Sequence, residues 1–180
     1  MSRFRALCFL AAVLPAVPAV SAAQESAVPS PAVERFDRFI DTASPFCRTA
    51  PSTECFAKAW AFADEDGDDH LSNTETRNLR DAVAGWVQWP GNRADDAERA
   101  RILLGLSLLE AAGLAPLTAS LDTDRDGLLS KEEVLADVRL DERPMEEVLK
   151  DPQAVDRRAI ANRLGALGPM VSSLFRQVGG

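Results

Sequence analysis

Histidine occurs once in this 180-residue chain, cysteine three times, and tyrosine not at all. With His70 alone, no serine or cysteine nucleophile has a credible base. No glycine-rich phosphate loop is present, and paired acids for proton transfer cannot be told apart from the acidic loops described below. These absences leave no case for an enzyme. Basic residues are also short, at 20 Lys and Arg against 28 Asp and Glu, a net charge of −8. A chain this acidic repels phosphate backbones and anionic lipid surfaces, which sets nucleic acid aside. Period-two alternation is missing over any length, so the expected fold is all-α.

Apolar runs long enough to span a bilayer are missing too. Residues 6–17 form one that is too short, after Arg3 and Arg5 and before Ser21, Ala22 and Ala23. That order of positive start, apolar stretch and small residues is the layout of a signal peptide, with cleavage expected after Ala23. An uncleaved anchor is the alternative, and Pro15, Pro18 and the small residues speak against it. Cys8 lies near the start of the apolar run rather than after it, which disfavours a lipoprotein. Removal of residues 1–23 takes two arginines and no acids, leaving 18 basic against 28 acidic residues and a net charge of −10. No membrane insertion is then expected, and the protein should be periplasmic or secreted. The remaining 157 residues suffice for one domain with a core.

Loss of Cys8 leaves Cys47 and Cys55. In an exported protein such a close pair reads as a structural disulfide. The seven intervening residues do not fit the C-x-x-C spacing of a redox pair or a metal knuckle.

Residues 24–32, rich in Ser, Pro and Ala, read as a disordered lead, and 33–180 as a single helical domain. Val33, Phe36 and Ile40 recur at helical spacing, giving a short helix that should end before Pro45. A second helix is expected over 54–63, with Phe56 and Trp60 one turn apart. Leu79, Ala82, Val83, Trp86 and Val87 form the clearest buried stripe in the chain. Asn92, with Asp95 three residues later, reads as the N-cap of another helix running to Gly113, and its apolar segment 102–109 makes it the expected central core helix. Pro116 suits the first turn of a short helix. Val134, Leu135 and Val138 suggest a further helix, and Pro144 and Pro152 mark possible starts of others. Ile160, Leu164, Leu167, Val171, Leu174 and Val178 form a final stripe, which Gly168-Pro169 should kink.

Two acidic dodecapeptides stand out. Residues 122–133 carry Asp122, Asp124 and Asp126 at places 1, 3 and 5, Gly127 at 6, Leu129 at 8, Ser130 at 9 and Glu133 at 12. Calcium wants six to eight oxygens, and alternate residues of a tight coil can aim three carboxylates at one point. Gly127 permits the positive φ that turns the chain around the ion. The Leu128 carbonyl and the Ser130 hydroxyl, or a water it holds, would add oxygens, and Glu133 could supply two. Six restricted places coincide by chance on the order of once per million windows, too rarely for a solvated acidic turn. Residues 64–75 repeat the pattern with Asp64, Asp66, Asp68, His70, Ser72 and Glu75, and with Leu71 at place 8. Place 6 is Asp69 rather than glycine, at some strain cost. Glycine stands two places earlier, at Gly67. Weaker binding is therefore expected here than in the second loop. His70 would offer its carbonyl, leaving the ring to water.

These dodecapeptides resemble the EF-hand family, and helical flanks agree: Phe56 and Trp60 precede the first loop, Leu117 and Leu121 the second. The resemblance covers about 54–90 and 115–141. It implies helix–loop–helix units, calcium as the ligand, and pairing through the place-8 residues Leu71 and Leu129. The chain departs from the compact tandem form, because the loops start 58 residues apart with a whole helix between them and more helices after them. That gap also separates it from dockerin-type modules, whose loops lie close together. The expected role is that of an exported calcium sensor or buffer. The alternative is a calcium-stiffened interaction module. A protein partner could enter an apolar groove lined by Trp60, Trp86 and Trp89, although core packing is the duller reading of the three tryptophans.

Overall fold

The computed structural model describes residues 28–165 and 168 of the chain. The expected leader 1–23, residues 24–27, and Leu167, Pro169, Val171, Leu174 and Val178 of the final stripe lie outside them. Eight helices and a single two-stranded ladder make up the described part, an all-α fold.

Helix α1 (Pro31–Cys47) starts inside the segment expected to be disordered. Ser30 caps it by accepting the Val33 N–H, and Pro31 takes the first helical place, where a missing N–H costs nothing. It also runs through Pro45, its expected stop. Pro45 lies near the C-terminus of the helix, and both it and Asp41, whose carbonyl loses a donor, are exposed, so water can satisfy that group. Helix α2 (Ser52–Ala63), strand β1 (Leu71–Ser72) and helix α3 (Asn73–Gln88) follow. A disulfide joins Cys47 to Cys55, tying the end of α1 to α2.

The main core lies between α1 and α3. Val33, Phe36, Ala82, Trp86 and Val87 are buried there, each contributing roughly 1.5–3 kcal/mol for the larger side chains. Gly85 allows the close approach: a Cβ on it would lie 2.7 Å from Val33 Cγ2. Trp86 buries its ring and donates Nε1–H to Asp37 at 2.8 Å. Trp60 is buried as well and Trp89 is half-buried, so the tryptophans belong to the packing.

Helix α4 (Asp96–Ala112) ends at Gly113 as expected, at φ +77°, but its cap falls three residues after Asn92, the expected one, because Asp95 accepts the Glu98 N–H instead. It is not the central core helix, since none of its residues is buried. Its leucines are spread around the axis, so one stripe (Ile102 and Leu106) reaches α3 while Leu103 and Leu104 stay 41% and 44% exposed. Helix α5 (Leu114–Leu121) turns 85° from α4. Among the described residues no single helix is long and apolar enough to cross a membrane.

Strand β2 (Leu128–Leu129) pairs antiparallel with β1, Leu71 opposite Leu129. Beneath this seam Trp60, Ala63, Leu71 and Leu129 form a second core, joined by Phe56, Leu79, Leu121 and Val134. Helix α6 (Lys131–Val134) is only one turn long, shorter than the exit helix expected through Val138. The chain leaves it because Val138 bridges to Val155, with Arg139 N–H bonded to the Ala154 carbonyl and Asp156 N–H to the Asp137 carbonyl. Helix α7 (Met145–Lys150) begins after Pro144 as expected. Pro152 falls in a turn instead, and α8 (Arg157–Arg163) starts at the Asp156 cap.

Candidate metal site

Each dodecapeptide connects two helices, α2 to α3 and α5 to α6, and the ladder sets them side by side. The spacing of the acids decides the local fold, because each aspartate binds the backbone ahead of it. Asp64 accepts the N–H of Gly67 at 2.7 Å and of Asp69 at 3.0 Å. Asp66 accepts from Asp68 at 3.2 Å, and Asp68 from His70 at 2.9 Å. The second loop repeats these bonds place for place. Asp122 accepts from Arg125 at 2.6 Å and Gly127 at 3.0 Å, Asp124 from Asp126 at 3.2 Å, and Asp126 from Leu128 at 2.8 Å.

The twelfth residues close the loops. Glu75 Oε1 accepts the Glu65 N–H at 2.6 Å while Oε2 takes the Ser72 N–H at 2.9 Å and hydroxyl at 2.8 Å. Glu133 does the same with the Thr123 N–H at 2.6 Å and the Ser130 N–H and hydroxyl, both at 2.9 Å. Thr123 adds its own hydroxyl at 3.0 Å, a donor the first loop lacks because Glu65 stands at that place. Ser72 and Ser130 also cap α3 and α6, each forming a reciprocal box with its glutamate.

Electrostatics follow from these donors. The N–H groups of Ser130 and Thr123, with their hydroxyls, outweigh burial and hold the Glu133 carboxyl down to about 2. Burial pushes the Glu75 carboxyl up, but bonds from Ser72 and from the Glu65 and Asp66 backbone prevail, so it too lies below the usual range. The His70 ring bonds the Asp68 carbonyl at 3.0 Å rather than facing only water, and this contact raises its pKa.

Asp64, Asp66 and Asp68 bring one carboxylate oxygen each within 4.8 Å of one another, and so do Asp122, Asp124 and Asp126. Oxygens that share one cation at 2.3–2.6 Å must lie within about 5 Å of each other, so each triad could hold a metal. Three like charges this close repel by about 1 kcal/mol per pair in bulk water and about 4 at an effective dielectric near 20. Place-8 Leu71 and Leu129 meet in the ladder. Place-7 residues His70 and Leu128 stand at the loop edges, half-buried.

Sequence reasoning missed three pairings around the loops. Arg35 of α1 pairs with Glu65, and Lys131 pairs with Asp69 across the seam. Thr118 of α5 donates to Asn73 Oδ1 at 3.1 Å, a second tie between the units. Tertiary contact alone creates these pairs. Comparison with family models, curated proteins and solved structures returned no match for this chain.

Proposed function

We propose that the protein is an exported calcium-binding protein of the EF-hand type, a sensor or buffer in the periplasm or outside the cell. One observation carries the reading. Two loops that begin 58 residues apart adopt the same hydrogen-bonded frame, place for place, around two aspartate triads. The donor set is all hard oxygen, which suits calcium and disfavours zinc or copper. Magnesium demands a near-ideal octahedron and gives up its waters reluctantly, so a loop that offers many carboxylate oxygens suits calcium better. Asp64, Asp66, Asp68, Ser72 and Glu75 would hold one ion, with the His70 carbonyl. Asp122, Asp124, Asp126, Ser130 and Glu133 would hold the other, with the Leu128 carbonyl. The bound ion would offset two of the three negative charges of each triad. The disulfide supports an oxidising location.

Calorimetry of the protein lacking residues 1–23 tests this. Uptake of two calcium ions at sub-millimolar to millimolar concentration is expected, falling to one in Glu75→Gln and in Glu133→Gln. No uptake at millimolar calcium would end the reading.

A second reading, a calcium-stiffened module that binds a protein partner, draws on α4, where Leu103 and Leu104 stand exposed. An apolar-surface dye separates the two. New binding on calcium addition favours a sensor that opens a groove, and stiffening without it favours the module.

A further inference from the structure

The first loop holds six acids and no lysine or arginine, whereas the second holds five acids together with Arg125 and Lys131. Four of the six, Asp64, Asp66, Asp68 and Glu75, stand at the places that would face an ion. Glu65 at place 2 and Asp69 at place 6 do not. Each of these two surplus acids meets a cation from outside its loop: Arg35 of α1 on Glu65, and Lys131 of the second loop on Asp69. Asn78 also donates to Glu65, at 3.0 Å. Both cations are held over rings of the same helix, α2. The Arg35 guanidinium lies 4.6 Å from the Phe62 centroid, and Lys131 Nζ 5.6 Å from that of Trp60. Such a seat restricts where each charge can go. Each surplus acid is thus met by a positive group held against α2.

We propose that Lys131 and Arg35 are resident counter-cations of the first loop, pairing with its two surplus carboxylates so that the calcium-free loop stays folded and its appetite for calcium is reduced. The calcium part rests on the functional reading above. The counter-cation part does not. Two consequences have opposite signs. Removing Lys131 leaves Asp69 unpaired beside the triad, so repulsion destabilises the calcium-free protein. The same lost positive charge makes a divalent cation more welcome. A side chain that merely packs on Trp60 would lose stability without gaining affinity.

The experiment compares wild type, Lys131→Met, Asp69→Asn and the double variant, with Lys131→Arg as the conservative control. Urea unfolding in chelator reads the calcium-free state, and a calcium titration followed by the Gly67 and Gly127 amide resonances reads each loop separately. For Lys131→Met the unfolding constant should rise about 1.5- to 5-fold, and first-loop affinity should rise by a similar factor. Both changes should shrink in 0.5 M salt, where the Debye length is only a few ångströms. The double variant should return toward wild type in both, Lys131→Arg should match wild type, and Arg35→Met should repeat the pattern through Glu65. Lower first-loop affinity in Lys131→Met, or additive effects of the two single changes on unfolding, would overturn the proposal. A wild type that takes up no calcium sinks the functional reading. The chelator arm then judges the pair by itself, coupling upholding it and additivity rejecting it.

Discussion

Two places in each loop take a left-handed backbone, and each loop has glycine at only one of them. The first uses Gly67 at φ +75° and Asp69 at +70°, the second Arg125 at +65° and Gly127 at +86°. A Cβ on Gly67 or Gly127 would meet nothing within 4 Å, so conformation and not crowding selects glycine there. Asp69 therefore costs no more than Arg125 does at the mirrored place, on the order of 1–2 kcal/mol for either. At the same scale, Glu133 predicts an acid response. Its carboxyl is held at about 2 when folded against 4.5 as the reference value. A depressed folded pKa adds stability that is complete above the reference value and disappears as pH falls through the folded one. Urea unfolding in chelator should therefore show wild type losing stability between pH 4.5 and 2 more steeply than Glu133→Gln. Equal slopes would remove this carboxyl from the account.

At the scale of elements, the seam is small and carries much. Two strands of two residues join the loops, and Leu129, 5% exposed, projects from one of them into the cluster that also holds Trp60 and Leu71. Leu129→Ala should cost about 2–4 kcal/mol in urea unfolding, since the cavity lies between elements that cannot easily collapse. Amide exchange should speed up in the first loop as well as the second, because Leu71 loses its partner. Acceleration in the second loop alone would mean that the loops stand independently. Helix α4 illustrates the opposite case. Its apolar residues look like a core segment, yet nothing in the described residues covers its Leu103 and Leu104 side.

For the whole molecule, the region after the second loop is fastened to the start of α2. Ser52, fully buried at the start of α2, donates its hydroxyl to the Asp141 carbonyl at 2.8 Å and accepts the Asp141 N–H at 2.9 Å. Its own N–H bonds the Arg143 carbonyl at 2.8 Å. The Cys47–Cys55 disulfide encloses this residue, so the bridge and the hydroxyl hold the same corner. Ser52→Ala should leave the Asp141 N–H unpaired, while the Asp141 carbonyl keeps the Ser52 N–H at 3.1 Å, and cost about 1–3 kcal/mol in urea unfolding, with the disulfide intact. A change under 0.3 kcal/mol would show that water replaces the hydroxyl.

Local spacing by itself determined the helical class, the close of α4 at Gly113, the α3 stripe from Leu79 to Val87, the cysteine pair and the aspartates at places 1, 3 and 5 of both loops. These depend on periodicity and on bonds between residues no more than a few apart, which a linear chain already specifies. Whether Pro45 ends a helix, whether α4 is central, how long α6 runs and which cations meet Glu65 and Asp69 were decided only by tertiary structure. Each depends on what a distant segment offers: water at one face, a competing bridge from Val155 to Val138, or a charge delivered across a seam. Burial and pairing over such separations are properties of the packed molecule.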